Sequence, residues 1–220
     1  MRYLIFFFIS LSINCSSQEI SYKNLVKDKG LYYKNSSKEP YSGKVTGDLE
    51  GQIVKGKKEG KFFKYFSSGN LHMESNYKNN TAQGQWIEYF NNGNVLNKKK
   101  YNKGKLEGFY YDYYRIGELL SKRNYSKGIL EGIFLTYYKN GQLESKAFYK
   151  NGKVNGIYLV YHEYEINAVS QLKIKRYFKQ GKAEGKYFEY HENGNLRAMG
   201  FYKNGKLEGE YKRYLRSGSL

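Results

Sequence analysis

Proline is almost missing from this chain: Pro40 is the only one in 220 residues, where ordinary usage of about 5% would give roughly eleven. That excludes a proline-rich linker. Cysteine is equally scarce, with Cys15 alone, so neither a disulfide framework nor a cysteine-based zinc site can be built. The three histidines offer little to a histidine-ligated metal. Acidic residues are in deficit, 20 against 38 Lys and Arg, for a formal charge of +18. Long apolar runs are also absent after the first fifteen residues. What abounds is tyrosine (26), glycine (24) and phenylalanine (13), too aromatic a composition for a disordered chain. The balance is that of a folded, turn-rich, basic β protein.

The one apolar run, Leu4 to Ile13, follows Arg2 and is interrupted by Ser10 and Ser12. A positive residue before about ten apolar ones is the pattern of a secretory signal. A membrane span needs about twenty. Residues 1–17 are therefore expected to direct export, to a secreted or periplasmic location. Two processing sites are compatible with the residues. One cleaves before Gln18, with small residues at Cys15 and Ser17. The other is a lipobox-like Ser12-Ile13-Asn14-Cys15 that would place a lipid on Cys15. It departs from the usual pattern at Ser12 and Asn14.

A repeat dominates the remainder, and repeats decide the fold before any motif does. Gly60, Gly84, Gly108, Gly132 and Gly156 are 24 residues apart; Gly185 follows after 29 and Gly209 after another 24. Two residues after each glycine stands Phe62, Trp86, Tyr110, Phe134, Tyr158, Tyr187 or Tyr211. Five after each stands Tyr65, Tyr89, Tyr113, Tyr137, Tyr161, Tyr190 or Tyr214. A second glycine lies nine after the first in every unit but the fifth, where Glu163 to Ser170 replaces the turn.

Asn92-Gly93, Asn140-Gly141 and Asn193-Gly194 between aromatic runs signal hairpins. A second turn, as in Lys150-Asn151-Gly152-Lys153, closes each unit, and both are expected to be primed turns, whose positive φ Asn and Gly tolerate. The expected fold is all-β: an elongated single-layer antiparallel meander of about seven hairpins over 43–220, after a lead-in at 18–42. It would have about fourteen strands and, at ~4.8 Å per strand, span some 65 Å. Offsets two and five have opposite parity, so their rings should face opposite sides of the sheet. Such a sheet has no closed core, and tyrosine can shield its hydrogen bonds while keeping a hydroxyl in water.

These units resemble the MORN repeat variant family. The pattern Gly-Lys-Leu-Glu-Gly-x-Tyr-x-x-Tyr-x-x-Asn-Gly-x-Leu is met most nearly at Gly181 to Leu196 and Gly104 to Leu119. The stretches Gly30-Leu31-Tyr32-Tyr33 and Glu39 to Val45 are similar to the opening of those proteins. The resemblance covers about 190 residues. It implies the antitoxin role with which members are often labelled, without assigning a contact residue. The short leading unit, Gly43 to Gly56, and the insertion in the fifth unit depart from the pattern.

Catalytic constellations are wanting. No Gly-x-Ser-x-Gly elbow or His-Glu-x-x-His occurs, and no cofactor is expected. Gly51 to Lys57 matches a phosphate loop until Lys58 stands where Ser or Thr is needed to hold magnesium. His162 and His191 share offset six and are expected to fill aromatic slots, as Phe66, Phe90, Tyr114 and Tyr138 do in other units. Lys103, Lys105, Lys127, Lys150, Lys153, Lys179, Lys182, Lys203 and Lys206 should line one rim, with Glu107, Glu131, Glu184 and Glu208 beside them offsetting part of the charge. That rim can be read as solvated edge protection or as a contact for a polyanion such as acidic glycan or anionic lipid. Export argues against nucleic acid.

The reading is a non-enzymatic exported scaffold presenting an aromatic and basic surface to a protein. An antitoxin or immunity role, or a structural envelope lipoprotein, is the alternative. Two contact regions are expected. One is the symmetry break at Tyr161, His162, Glu163 and Tyr164. The other is the last strand, Glu210 to Leu215, with Tyr211, Lys212 and Arg213; its charges would keep the chain a monomer while inviting an acidic partner strand. Because loops absorb insertions cheaply and are nicked first, limited proteolysis is expected to cut within 163–170, leaving fragments of roughly 17 and 6 kDa. Cutting elsewhere first would mean that this hairpin is closed by packing.

Overall fold

The computed structural model describes residues 19–164 and 171–220. The export segment with Cys15, and most of the 163–170 insertion, lie outside them. One sheet of 20 strands carries the array. Glu19–Ser21 pairs in parallel with Gly43–Thr46, and from there each strand is antiparallel to the one before it, in chain order. The two ends, Glu19–Ser21 and Lys212–Arg213, do not pair with each other. A separate two-stranded sheet joins Leu25–Asp28 to Leu31–Lys34.

The strands outnumber the expected fourteen for two reasons. Three precede the first full unit: Glu19–Ser21, Gly43–Thr46 and Leu49–Val54. Four others are two-residue pieces, Thr81–Ala82, Lys105–Leu106, Lys153–Val154 and Lys206–Leu207, split from the strand that follows. The split marks a β-bulge. Where the strand is continuous, as in Ile129–Tyr137, the register shifts at the same place, Arg123 facing Phe134 but Tyr125 facing Leu130. The recurring glycine sits in this bulge with left-handed φ, from 75° at Gly60 to 104° at Gly156. A side chain there would strain the backbone, which is why the period is written in glycine.

The two turn types differ from the expectation that both are primed. At the lysine-rich turns both central residues are left-handed, as at Lys103 and Gly104 (48° and 78°) or Asn204 and Gly205 (52° and 84°). At the Asn-Gly turns only the glycine is left-handed, with Gly93 N–H donating to the Phe90 carbonyl and Phe90 N–H to that of Asn94. These are longer loops ending in a left-handed glycine.

Both rims are clasped from unit to unit. The residue before each bulge glycine accepts the backbone N–H of the next turn. Glu59 takes that of Asn79 (2.8 Å), Glu107 that of Lys127 (2.8 Å), Glu131 that of Asn151 (2.8 Å) and Glu184 that of Asn204 (2.9 Å). On the opposite rim Asn70, Asn94, Asn140 and Asn195 donate to the carbonyls of Asn91, Arg115, Tyr164 and Arg216. The rim glutamates, read from sequence as offsetting charge, are turn acceptors.

The sheet is uncovered over most of its length, but one end does have a closed core, contrary to expectation. There the lead-in folds back so that Tyr32 and Tyr41 join Val45, Leu49, Ile53 and Phe62 in a buried cluster. Gly51 makes room for it: a Cβ there would stand 2.5 Å from the Phe62 ring. Lys58 enters this cluster with its ammonium 4.9 Å from the Phe62 ring centre, 5.1 Å from Tyr77, 5.4 Å from Tyr22 and 5.8 Å from Tyr32. The ring faces favour the cation. Burial, with Lys27 and Lys64 adding repulsion, nevertheless pulls its pKa down to about 8.

A depressed lysine pKa means that the folded state sheds a proton the unfolded chain keeps, so stability rises with pH from about 8 towards the ordinary lysine value. Tyr32 and Tyr89, pushed up to about 12 by burial, act oppositely, and stability falls above pH ~10. Chemical denaturation across pH should therefore find maximum stability near pH 9 to 10. Lys58→Met should flatten the rise on the acid side; an unchanged profile would show that the rings compensate the burial fully.

Candidate binding surface

The register assigns every side chain to one of two faces. One face carries the offset-two rings, interleaved with Tyr77, Tyr101, Tyr125, Tyr149, Phe178 and Tyr202. Phe62 to Tyr77 is 5.4 Å, Tyr77 to Trp86 5.3 Å and Trp86 to Tyr101 4.9 Å between ring centres. Further along, cations are set among the rings, two of them with a carboxylate. Lys99 meets Glu88 at 2.6 Å, and Arg123, 4.3 Å from the Tyr110 ring, meets Asp112 at 2.7 Å. Arg176 lies 4.7 Å from the Tyr187 ring and Arg213 5.5 Å from that of Tyr211.

The opposite face carries the offset-five tyrosines, as parity predicted: Tyr65 donates its hydroxyl to Glu50 and Tyr89 to Glu74. One cross-strand row on this face follows from the pairings. Phe63 faces Glu74, which faces Ile87; then come Lys98, Tyr111, Lys122, Leu135, Lys146, Leu159, Lys175, Phe188 and Met199. Lysine and apolar residue alternate strand by strand. Equivalent lysines lie two strands apart, or ~9.6 Å. Among the described residues no ion pair joins Lys98, Lys122, Lys146 or Lys175 to a carboxylate. Their partners are rings: Lys122 lies 4.2 Å from that of Phe109, Lys146 5.6 Å from Phe148 and Lys175 5.8 Å from Tyr177. Beside this row Phe109, Phe148, Ile157 and Phe201 are exposed by 38 to 45%, an apolar stripe left uncovered among the described residues.

The sequence-derived candidates are distributed differently. His162 and His191 do fill the aromatic slot. Each ring Nε2 lies 3.0 and 3.1 Å from the carbonyl of Tyr190 and Tyr214, where Tyr114 and Tyr138 place their hydroxyls, 2.8 Å from the carbonyls of Tyr137 and Tyr161. Tyr164 is held by the array too, its hydroxyl donating to Glu192 and its carbonyl accepting from Asn140 (both 2.8 Å). Tyr161 lies in a paired strand and Glu163 is exposed.

The last strand is shorter than expected, Lys212–Arg213 alone, since it is paired on one side only among the described residues. Its trio is divided by parity. Tyr211 and Arg213 line a recess of about 410 Å³ with His191, Arg197 and Tyr214, whereas Lys212, opposite Met199, continues the lysine row and meets Glu210 at 3.2 Å. The nine rim lysines are all exposed. Sequence reading found that rim and missed the face. The signal was there, a lysine six before each of the turn glycines Gly104, Gly128, Gly152 and Gly181, but placing apolar residues between those lysines needed the bulges to be counted.

The geometry is that of an open hairpin-repeat scaffold with two solvated faces. The MORN repeat variant profile matches residues 58–79, 82–103, 130–151 and 183–204, each match spanning a hairpin. The repeat array belongs to the MORN repeat variant family, whose repeats often bind membranes or proteins. No curated protein matches the chain as a relative.

If the histidine nitrogen serves only as an inter-unit hydrogen-bonding group, His162→Tyr should keep the thermal midpoint. His162→Phe should cost about 0.5–1.5 kcal/mol, the net worth of one hydrogen bond. Thermal unfolding of the pair checks this, and equal stability would assign the slot to ring packing alone.

Proposed function

We propose that the protein is a non-enzymatic scaffold acting outside the cytosol, and that it docks a protein partner on its lysine face. The observation that carries the reading is the row Lys98, Lys122, Lys146 and Lys175, whose ammonium groups have no carboxylate partner among the described residues and stand beside exposed Phe109, Phe148 and Ile157. On the ring face Lys99 and Arg123 are neutralised from within, while Lys58, Arg176 and Arg213 are held over rings. An array that pairs its charges on one face and leaves them open on the other presents the open one to something outside. Apolar residues exposed among open cations suit a protein surface that offers both carboxylates and side chains to bury. The residue inventory supports a binding role, because the sequence holds no Gly-x-Ser-x-Gly elbow and no His-Glu-x-x-His. The apolar opening run supports the location.

Site-specific photo-crosslinking in cells tests it. A crosslinker at Phe148 or Phe109 should give a discrete protein adduct, lost in Lys122→Glu/Lys146→Glu, while one at Tyr110 on the ring face gives none. Adducts from the ring face or the lysine rim alone would place docking elsewhere.

A further inference from the structure

We infer that the occupant of the lysine face is an acidic amphipathic α-helix lying across the strands. The inference rests on the docking reading above and deepens it by naming the partner's form. From Lys98 to Lys175 the row takes six strand steps, Lys98–Tyr111–Lys122–Leu135–Lys146–Leu159–Lys175, about 29 Å at ~4.8 Å per step. A helix rises 1.5 Å per residue, so residues seven apart recur on one side every ~10.5 Å, and those three or four apart fall midway. Lysine recurs every ~9.6 Å with an apolar residue midway. A helical stripe reading carboxylate, apolar, carboxylate at intervals of three or four residues is therefore matched step for step. The drift of under ~1 Å per heptad is within the reach of a lysine side chain.

Width agrees as well. The adjoining row on the same face, which carries Phe109, Ile133, Phe148 and Ile157, is displaced by two residues along the strands, ~7 Å. A helix ~10 Å across covers both rows, setting carboxylates over the lysines and apolar side chains over the phenylalanines. A flat anionic lipid surface fits less well, because the row changes sign: Glu50 and Glu74 precede Lys98 on the same face, paired with Phe63 and Ile87. Those carboxylates would face a uniformly anionic plane. A helix can answer them with a basic residue at one end, which would also fix its direction.

The test uses the full chain without its first 17 residues and a synthetic helical peptide of about 28 residues, long enough to span the row. It bears Glu at one heptad position and Leu midway. A composition-matched peptide has the Glu–Leu spacing broken. Fluorescence anisotropy should show the heptad peptide binding at least about tenfold more tightly than the broken one. Lys122→Glu/Lys146→Glu should weaken it by at least about tenfold, and the neutral Lys122→Gln/Lys146→Gln by less. The rim variant Lys150→Glu/Lys179→Glu should change it by less than about twofold. Circular dichroism and thermal midpoints verify that each variant is folded.

Equal affinity for the two peptides would overturn the inference. So would indifference to the face variants, or binding of phosphatidylserine vesicles through these lysines in preference to the peptide. If the photo-crosslinks from Phe148 persist while the peptide fails, the helix is wrong and the docking face stands. If the crosslinks fail as well, both fall.

Discussion

A sheet with no layer packed against it has to protect its backbone hydrogen bonds with its own side chains, and this requirement shapes the protein. Water competes for every N–H and C=O of an open strand. Large rings stacked from strand to strand exclude it without needing a second sheet. Phe62, Tyr77, Trp86 and Tyr101 form such a series, each ring within 5.4 Å of the next. Tyrosine predominates further along because its hydroxyl remains wet or finds an acceptor, as Tyr114 and Tyr138 do on the carbonyls of the following unit.

The same requirement explains where the units hold one another. Edges of a hairpin are its weak points, and here each turn is tied to its neighbour: Glu107 and Glu131 on one rim, Asn94 and Asn195 on the other. Stability is therefore a sum of short-range terms along the array. At one end the sum would lack a neighbour, and the lead-in supplies one by folding Tyr22 and Tyr32 around Lys58. A buried lysine among rings costs stability at neutral pH, yet it ties a non-repeating segment to the first repeat at a single place.

Charge is handled differently on the two faces. Lys99 and Arg123 on the ring face have Glu88 and Asp112 beside them. The four lysines of the other face are spread at regular intervals with apolar residues between. A long partner could use all of them at once, gaining through many modest contacts what no single pocket in the array provides.

The period of 24, the positions of the two turns, the strand count per unit and the opposite sidedness of Tyr110 and Tyr113 were determined by the sequence alone, because each is a local consequence of where glycine and the rings stand. The slot occupied by His162 and His191 was legible for the same reason. Whether Glu107 balances charge or accepts a turn N–H could not be read, since its partner is twenty residues away. That Lys98, Lys122, Lys146 and Lys175 share a face follows from the period, each standing ten before a bulge glycine. That Tyr111, Leu135 and Leu159 fall between them could not be read, because the bulges at Gly108, Gly132 and Gly156 each shift parity by one residue and each hairpin loop fixes a new register. Only the folded sheet adds these shifts together, and their sum decides which residues fall between the lysines.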